Sequence, residues 1–244
     1  MPILDNKEAH ITRFAGFRGT RDMRTAAFDM VGGGDFELVG FTEARLLDEF
    51  APVGNSGLLV DVGCGPGRLA RYLKDRRGLR YLGTDVVPEL LEVARSECGR
   101  PDWRFEEVSG FHIPLEAGSA DVVAFFSVFT NMLPEQSFLL VREAARALRS
   151  GGRVVISYLD IDIPRHQNSF LELVEHQAKR IDPLVFLDRS FLEMFAARNE
   201  LRSLTRVRPE DIALEAAPGA RLLDGRELTG KVSFWQAIAV MEKP

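Results

Sequence analysis

Apolar residues between positions 57 and 156 come alternately in short continuous runs and in helically spaced sets. The run at 57–62 predicts a buried parallel strand, and 81–85 predicts a second strand that ends in a carboxylate. Residues 88–98 and 135–148 carry apolar side chains at helical spacing, with Pro88 in a first turn and glycines after the second helix. This alternation predicts an α/β domain whose mostly parallel sheet is covered by helices on both faces.

The segments on either side of this region have weaker patterns. Residues 1–35 are polar and predict irregular structure, and 41–50 predict a helix with Thr42 as its N-cap. After a segment at 160–186, residues 189–199 predict another helix. Two further strands are predicted at 206–216 and 232–241.

A glycine-rich loop between the first strand and the first helix predicts a nucleotide-type site. Gly63, Gly65 and Gly67 let the backbone bend sharply and approach a ligand, and the following helix presents free N–H groups. Asp85 lies 24 residues after Asp61, close to the spacing at which an acid binds a ribose diol. The spacing G-x-G-x-G differs from the G-x-G-x-x-G of dinucleotide-binding proteins, so an NAD-linked dehydrogenase is the weaker alternative.

The acid at Asp61 followed by G-x-G-x-G resembles motif I of the class I S-adenosylmethionine (SAM) methyltransferases. The resemblance covers roughly residues 30–160. It extends through segments that look like the second to fifth strands of that family, at 81–85, 105–109, 120–125 and 148–156. It implies a Rossmann-like, seven-stranded, mostly parallel sheet with helices on both faces and an antiparallel last strand at 234–240.

The resemblance implies a cofactor role for several residues. Asp61 would approach the amino-acid end of SAM, although a carboxylate that caps local N–H groups is the alternative. Asp85 would accept both ribose hydroxyls, and Val86 would pack on the adenine. The expected cofactor-binding set is Asp61, Gly63, Cys64, Gly65, Gly67, Asp85, Val86, Ser109, Gly110 and Phe126.

Two positions depart from the family pattern. Ser109 stands where many relatives carry an acid for the adenine amino group, so a carbonyl near Gly110, or Glu107, is an alternative contact. The stretch at 126–133 resembles a Ser-Val-Phe-Thr-His-Leu segment of enzymes that act on sugars and other small hydroxylated molecules. Asn131 replaces the histidine, and an amide has no useful basicity.

The loop after the fifth strand supplies the candidate catalytic groups. An alcohol nucleophile gains from a general base, and His166, Asp160 and Asp162 are the candidates in that order, with Asn131 facing the site. For His166 a surface or N-cap role is the alternative. A metal site at these three residues is not expected, because the spacing matches no metal-dependent pattern, and His112 could instead lie near adenine.

The expected domain organisation is one SAM-methyltransferase domain over 1–244. Residues 1–50 would form an N-terminal cover that includes the glycine run at 32–34, and 160–186 would form a lid or acceptor insertion. Arginines at 13, 18, 21 and 24 could bind an anionic substrate, or they could form a solvated face.

Composition narrows the function further. The formal net charge of −5 gives no basic excess for binding nucleic acid, and two isolated cysteines fit a reducing compartment. No signal-peptide pattern and no membrane-length apolar run is evident, so a cytoplasmic protein without a membrane partner is expected. The expected function is SAM-dependent methyl transfer, with S-adenosylhomocysteine (SAH) as product, to oxygen of a small-molecule or sugar-like acceptor. The alternative is a protein of this fold that binds SAM without transferring methyl, and the oligomeric state stays open.

Overall fold

The computed structural model describes residues 7–19, 21–31, 35–175, 184–212, 214–216 and 219–244. Its strands are β1 (Leu58–Val62), β2 (Arg80–Asp85), β3 (Arg104–Glu107), β4 (Ala120–Phe125), β5 (Leu148–Asp160), β6 (Phe186–Leu187), β7 (Arg202–Val207), β8 (Leu214–Glu215), β9 (Lys231–Val232) and β10 (Ala237–Glu242). Its helices are α1 (Lys7–Arg18), α2 (Met23–Met30), α3 (Phe36–Phe50), α4 (Arg68–Leu73), α5 (Pro88–Cys98), α6 (Pro134–Ala147), α7 (Pro164–Glu175) and α8 (Arg189–Arg198).

The main sheet has the order β3-β2-β1-β4-β5-β10-β7. The first five strands are parallel to one another, and β10 lies antiparallel between β5 and β7. β6 pairs with the end of β5, while β8 and β9 form a separate small sheet. The predicted fold, a seven-stranded mostly parallel sheet with an antiparallel last strand, is confirmed.

Burial on both faces explains why the first strand is apolar at four of its five positions. Leu59 packs into the core cluster on one side of the sheet, whereas Val60 and Val62 pack into the cluster on the other side. Successive side chains of a strand point to opposite faces, so a strand covered on both faces is apolar at most positions, and Asp61 is the one polar residue of β1.

The chain order across the sheet places the site. From β1 the chain moves outwards through β2 to β3, and it then returns to β4 and continues to β5 on the other side of β1. A crevice opens at the carboxyl ends of the strands where this direction reverses, and ligands of open α/β sheets bind there.

The N-terminal segment is helical, which corrects the expectation of irregular structure for residues 1–35. Among the described side chains of α1 only Phe14 is buried, so the helix leaves no repeating apolar pattern in the sequence. Asp22 caps α2 by accepting from the backbone N–H of Thr25. The glycines at 32–34 lie outside the described residues.

Helix α3 begins five residues earlier than predicted. The side chain of Asp35 accepts from the N–H groups of Glu37 and Leu38, and this fixes the start of the helix. Thr42 is therefore not an N-cap: it lies inside the helix, where its hydroxyl donates to the carbonyl of Leu38 at 2.7 Å.

The strand that pairs with β10 is β7, not the segment predicted at 206–216. β7 is the outermost strand of the sheet, and its first three residues are exposed. An edge strand with polar residues lacks the continuous apolar run by which β1 could be predicted, so its position could not be read from hydrophobicity.

Candidate active site

The crevice at the carboxyl ends of β1, β2 and β4 holds a cavity of about 310 Å³. Its wall is formed by the turns after these strands, by the segment before β10, and by α1 and α3 from the N-terminal region. Residues that line it include Met30, Val31, Glu43, Asp61, Gly63, Gly65, Asp85, Val86, Phe126, Ser127, Asn131, Trp235 and Gln236.

The glycine loop after β1 forms a cradle that only small residues fit. Gly63 and Gly65 adopt φ values of +70° and +54°, a left-handed backbone that favours glycine. A Cβ at Gly63 would lie 2.8 Å from a methyl carbon of Val128, and one at Gly65 would lie 3.0 Å from Val31. The N–H groups of Gly63 and Cys64 both donate to the carbonyl of Thr84, which ties the loop to the end of β2.

Asp85, the last residue of β2, has the geometry to bind a vicinal diol. Its Oδ2 accepts from the N–H of Gly65 at 2.9 Å and its Oδ1 accepts from the N–H of Val87 at 3.0 Å. A carboxylate oxygen accepts more than one hydrogen bond, so each oxygen can still accept from a ligand hydroxyl. Burial raises the pKa of Asp85, and the backbone donors oppose this change.

Asp61 lies in β1 and is only 3% exposed. Its Oδ2 accepts a hydrogen bond from the hydroxyl of Tyr81 at 2.6 Å. Burial raises the pKa of Asp61 to about 7, and the Tyr81 hydroxyl lowers it against that trend. A cationic ligand beside this carboxyl would favour its ionised form.

The structure brings most of the predicted cofactor residues to the cavity and leaves two outside its lining. Gly67 is instead the N-cap of α4, with φ +82°, and a Cβ there would meet Ala94 at 3.2 Å. Ser109 is exposed, whereas its neighbours Val108 and Gly110 line the cavity. Those that line it are Asp61, Gly63, Cys64, Gly65, Asp85, Val86, Gly110 and Phe126.

His166 lies outside the cavity lining and is 1% exposed. Its Nε2 is 2.7 Å from the carbonyl oxygen of Trp235, and its Nδ1 is 2.9 Å from the backbone nitrogen of Asp160. If Nε2–H donates to Trp235, Nδ1 accepts from Asp160, so both ring nitrogens are occupied within the protein. The placement is that of a structural histidine that joins the end of β5 to the segment before β10.

The carboxylate of Asp160, next to His166, also accepts hydrogen bonds from within the protein. Asp160 is 1% exposed and accepts from the hydroxyl of Tyr158 at 3.0 Å and from the N–H of Asp162 at 3.0 Å. Among the described residues no three metal-ligating side chains cluster as a metal site. His112 lines the cavity, as considered from the sequence, and His176 lies outside the described residues.

Two ionised residues of the cavity wall were not singled out from the sequence. Glu43 of α3 and Arg68 of α4 form a buried ion pair in which Arg68 Nε donates to Glu43 Oε2 at 3.1 Å and Nη2 donates to Oε1. Burial raises the pKa of Glu43, while Arg68 lowers it. Arg68 could have been predicted to lie near the site, because it directly follows the glycine loop. Nothing in the sequence indicates that α3 would place Glu43 in the cavity wall.

The N-terminal arginines divide between the cavity and the surface. Arg13 lines the cavity together with Lys7 and His10, which are spaced three residues apart and share one face of α1. Arg21 lies 3.1 Å from Asp29, and Arg24 binds Glu97. The structure therefore does not gather these arginines into one anion site.

Comparison with known proteins agrees with this geometry. Residues 60–156 match the model of a family described as "Methyltransferase domain". The matched segment resembles the class I SAM-dependent methyltransferases. The resemblance seen in the sequence is confirmed, and the alternative of a SAM-binding protein that transfers no methyl group is not favoured.

Relatives and solved structures give the context of this methyltransferase domain. It is 33% identical over 101 residues to a demethylmenaquinone methyltransferase of Tropheryma whipplei, covering 40% of each chain. It is 28% identical over 152 residues to a 27-O-demethylrifamycin SV methyltransferase of Amycolatopsis mediterranei, covering 59% of this chain and 55% of that one. The chain thus spans about half or less of these relatives' lengths.

The fold also matches geranyl diphosphate C-methyltransferase of Streptomyces coelicolor A3(2), solved with Mg²⁺, geranyl diphosphate and SAH. The TM-score is 0.59 at 16% identity, covering 84% of this chain and 80% of that one. No helix in the described part of the chain is long and apolar enough to cross a membrane.

Proposed function

We propose that this chain transfers the methyl group of SAM to an oxygen atom of a small, uncharged and largely apolar acceptor. The glycine cradle fits the amino-acid part of the cofactor. The acceptor position that remains on each carboxylate oxygen of Asp85 fits the two ribose hydroxyls. When bound, the cofactor supplies an already activated methyl group, so the protein contributes mainly by orienting the two reactants.

The lining of the cavity beyond β4 is the observation that supports this acceptor. Most of the predicted cofactor-binding residues lie at the ends of β1 and β2, and the remaining space lies over β4 and β10, on the other side of the point where the strand order reverses. Apolar side chains there are mixed with hydroxyl and amide groups, and the latter carry no charge. The apolar members include Val128, Met132, Leu140, Leu184 and Trp235, and the polar ones are Ser127, Thr130, Asn131, Gln136 and Gln236.

The charges on the wall argue against an anionic acceptor. Arg68 is the cation of the β4 side in the described part of the cavity, and it is neutralised by Glu43. Lys7 and His10 of α1 lie towards β2 and β3: Lys7 pairs with Glu107 at the end of β3, and His10 is close enough to lower the pKa of Asp85. Arg13 donates to the carbonyl of Met30. A carboxylate acceptor over β4 would therefore gain little from these groups.

A methyl-transfer assay that measures SAH release tests the proposal. The panel would contain 1,4-naphthohydroquinone, an alkyl glucoside, trans-aconitate and an aromatic amine, each with SAM. We expect turnover with the hydroquinone or the glucoside and little with trans-aconitate, and Asp85→Ala should abolish most of it. Turnover confined to the carboxylate or to the amine would contradict the proposed acceptor while leaving the methyltransferase class intact.

A further inference from the structure

A chain of polar side chains crosses the wall of the cavity from α3 to β5. Arg68, already paired with Glu43, donates from Nη2 to the Oγ of Ser127 at 3.3 Å. Gln236 Nε2 also donates to Ser127 Oγ, at 2.9 Å, and Gln236 Oε1 accepts from Ser157 Oγ at 2.6 Å. The chain closes because the backbone N–H of Ser127 donates to Ser157 Oγ at 2.7 Å.

The direction of the hydrogen bonds in this chain follows from its obligatory donors and from the complete burial of Ser157. The backbone N–H of Ser127 can only donate, so Ser157 Oγ accepts it. Ser157 is 0% exposed, so its own hydrogen needs an acceptor within the protein, and Gln236 Oε1 takes it at 2.6 Å. The amide of Gln236 must then turn its NH₂ group towards Ser127. A guanidinium can also only donate, so Ser127 Oγ accepts from Arg68 as well.

These bonds leave the hydroxyl hydrogen of Ser127 unused. A hydroxyl has one hydrogen and two lone pairs, and both lone pairs are taken by Gln236 and Arg68. Within the described residues, no hydrogen bond has Ser127 Oγ as its donor. Ser127 is half-buried and lines the cavity, so a bound molecule is the available partner for this hydrogen.

The position of Ser127 is held against a backbone preference. Its φ of +61° lies in the left-handed region, which is rare and unfavourable for a residue with a side chain. Its carbonyl oxygen accepts from Thr130 Oγ1 at 2.8 Å and from Asn131 Nδ2 at 3.2 Å, which together with the polar chain secures this conformation. The hydroxyl is therefore preorganised, as a binding group requires.

We propose that the hydroxyl of Ser127 donates a hydrogen bond to an oxygen atom of the methyl acceptor, with Gln236 as the residue that sets its direction. This rests on the proposed function. Ser127 follows β4, on the acceptor side of the point where the strand order reverses, and the neighbouring cation Arg68 makes its hydroxyl a stronger donor. The site selects acceptors with a carbonyl, phenol or ether oxygen and disfavours groups that only donate, such as ammonium.

Two substitutions of Gln236 separate this role from simple packing. In Gln236→Glu the carboxylate accepts from both Ser157 and Ser127, so the chain reverses and the hydroxyl hydrogen of Ser127 is consumed. In Gln236→Met the side chain has a similar length, but the hydroxyl hydrogen of Ser127 stays available. We expect KM for 1,4-naphthohydroquinone to rise roughly five- to tenfold in Gln236→Glu, and much less in Gln236→Met.

The cofactor dissociation constant and thermal unfolding are measured alongside for both variants. SAH affinity should be similar in the wild type, Gln236→Glu and Gln236→Met. Equal increases in KM in both variants would indicate a structural role and overturn the proposal. A selective loss of SAH affinity in Gln236→Glu would assign the hydroxyl to the cofactor and would also overturn it.

A crystal structure of the SAH complex, with no methyl acceptor bound, tests whether the hydroxyl of Ser127 points into the cavity. A water molecule or additive oxygen as the third neighbour of Ser127 Oγ, on the cavity side at about 2.7 Å, supports the proposal. A protein oxygen or the SAH carboxylate in that position contradicts it. If the acceptor panel shows no turnover, the proposed function fails separately, and the neighbour of Ser127 Oγ still gives the answer.

Discussion

The backbone N–H of Gly65 donates to Oδ2 of Asp85 over 2.9 Å, and this bond joins the glycine loop after β1 to the end of β2. The loop is also held by the carbonyl of Thr84, which accepts from Gly63 and Cys64. Two segments 20 residues apart in the chain therefore form one rigid cradle, and Asp85 both shapes the cradle and offers acceptor positions to the ligand.

Replacing Asp85 by alanine should weaken SAH binding by at least tenfold. The substitution removes acceptors for two ligand hydroxyls and also leaves the N–H of Gly65 without its partner, and hydrogen bonds to charged groups contribute roughly 1.5–3 kcal/mol each. Calorimetric titration with SAH measures the effect. Asp121→Ala is the matched control, because Asp121 accepts from the N–H of Leu58 at the opposite end of the sheet. Equal SAH affinity in both variants would contradict the assigned role of Asp85.

Gly65→Ala should reduce both stability and cofactor affinity, whereas Gly99→Ala should reduce stability alone. Both glycines have a left-handed backbone, with φ of +54° and +59°, so an alanine at either position costs about 1–2 kcal/mol. A Cβ at Gly65 would meet Val31 in the cavity wall, while one at Gly99 meets nothing within 4 Å. Denaturant unfolding measures the loss of stability caused by backbone strain in each variant, and SAH titration measures the loss of cofactor affinity. An SAH affinity that falls equally in both variants would contradict the assignment of Gly65 to the cofactor site.

SAM binding should release a proton below about pH 7 because Asp61 is neutral there in the free protein. Burial raises its pKa to about 7, and a sulfonium or ammonium group nearby stabilises the ionised form. Titration calorimetry at pH 6 in buffers of different ionisation enthalpy measures the released proton. Tyr81→Phe removes the donor that lowers the pKa of Asp61, so proton release on SAM binding should extend to higher pH. Asp61→Asn should abolish the proton release.

The raised pKa of Asp61 also makes the free energy of unfolding depend on pH in a defined direction. Its raised value means that the folded protein binds more protons than the unfolded chain between about pH 4 and pH 7. Asp61 therefore lowers the free energy of unfolding as pH rises through this window. The stability of the wild type relative to Asp61→Asn should fall from pH 4 to pH 7, and a constant or rising difference would show that Asp61 is ionised in the fold.

His166→Ala should destabilise the protein by about 1–3 kcal/mol, because the backbone groups of Asp160 and Trp235 lose buried partners. Turnover per folded molecule should fall much less than the roughly hundredfold loss expected for a general base. His112→Ala is the control, since the His112 side chain is 67% exposed and its loss should change stability little. A hundredfold loss of turnover with unchanged stability would restore His166 as the base.

Helix α1 should become protected when SAH binds. Lys7, His10 and Arg13 present one face of this helix to the cavity, while few of its described side chains are buried. A helix with so little burial opens readily in the free protein. Amide hydrogen exchange should slow at 7–18 with SAH and stay unchanged in β7, at the far edge of the sheet. Protection confined to residues 58–110 would show that α1 is not part of the cover.

Sequence alone determined the elements whose physical signal is local. β1 is apolar at four of its five positions because both faces of the sheet are covered, and its glycine loop is recognisable because its left-handed backbone favours glycine. The acid at the end of β2 could likewise be placed from its spacing. These features predicted the fold, the family and most of the cofactor wall.

Only the tertiary structure decided which polar side chains reach the cavity. His166 follows the fifth strand, as predicted, but its ring turns into the protein because two backbone groups there need partners. Glu43 and Gln236 come from segments far from the glycine loop, and neither carries a local signal. Ser127 is an ordinary serine in the sequence, and its unused hydrogen follows from bonds to Arg68, Gln236 and Ser157 that only the packed chain brings together.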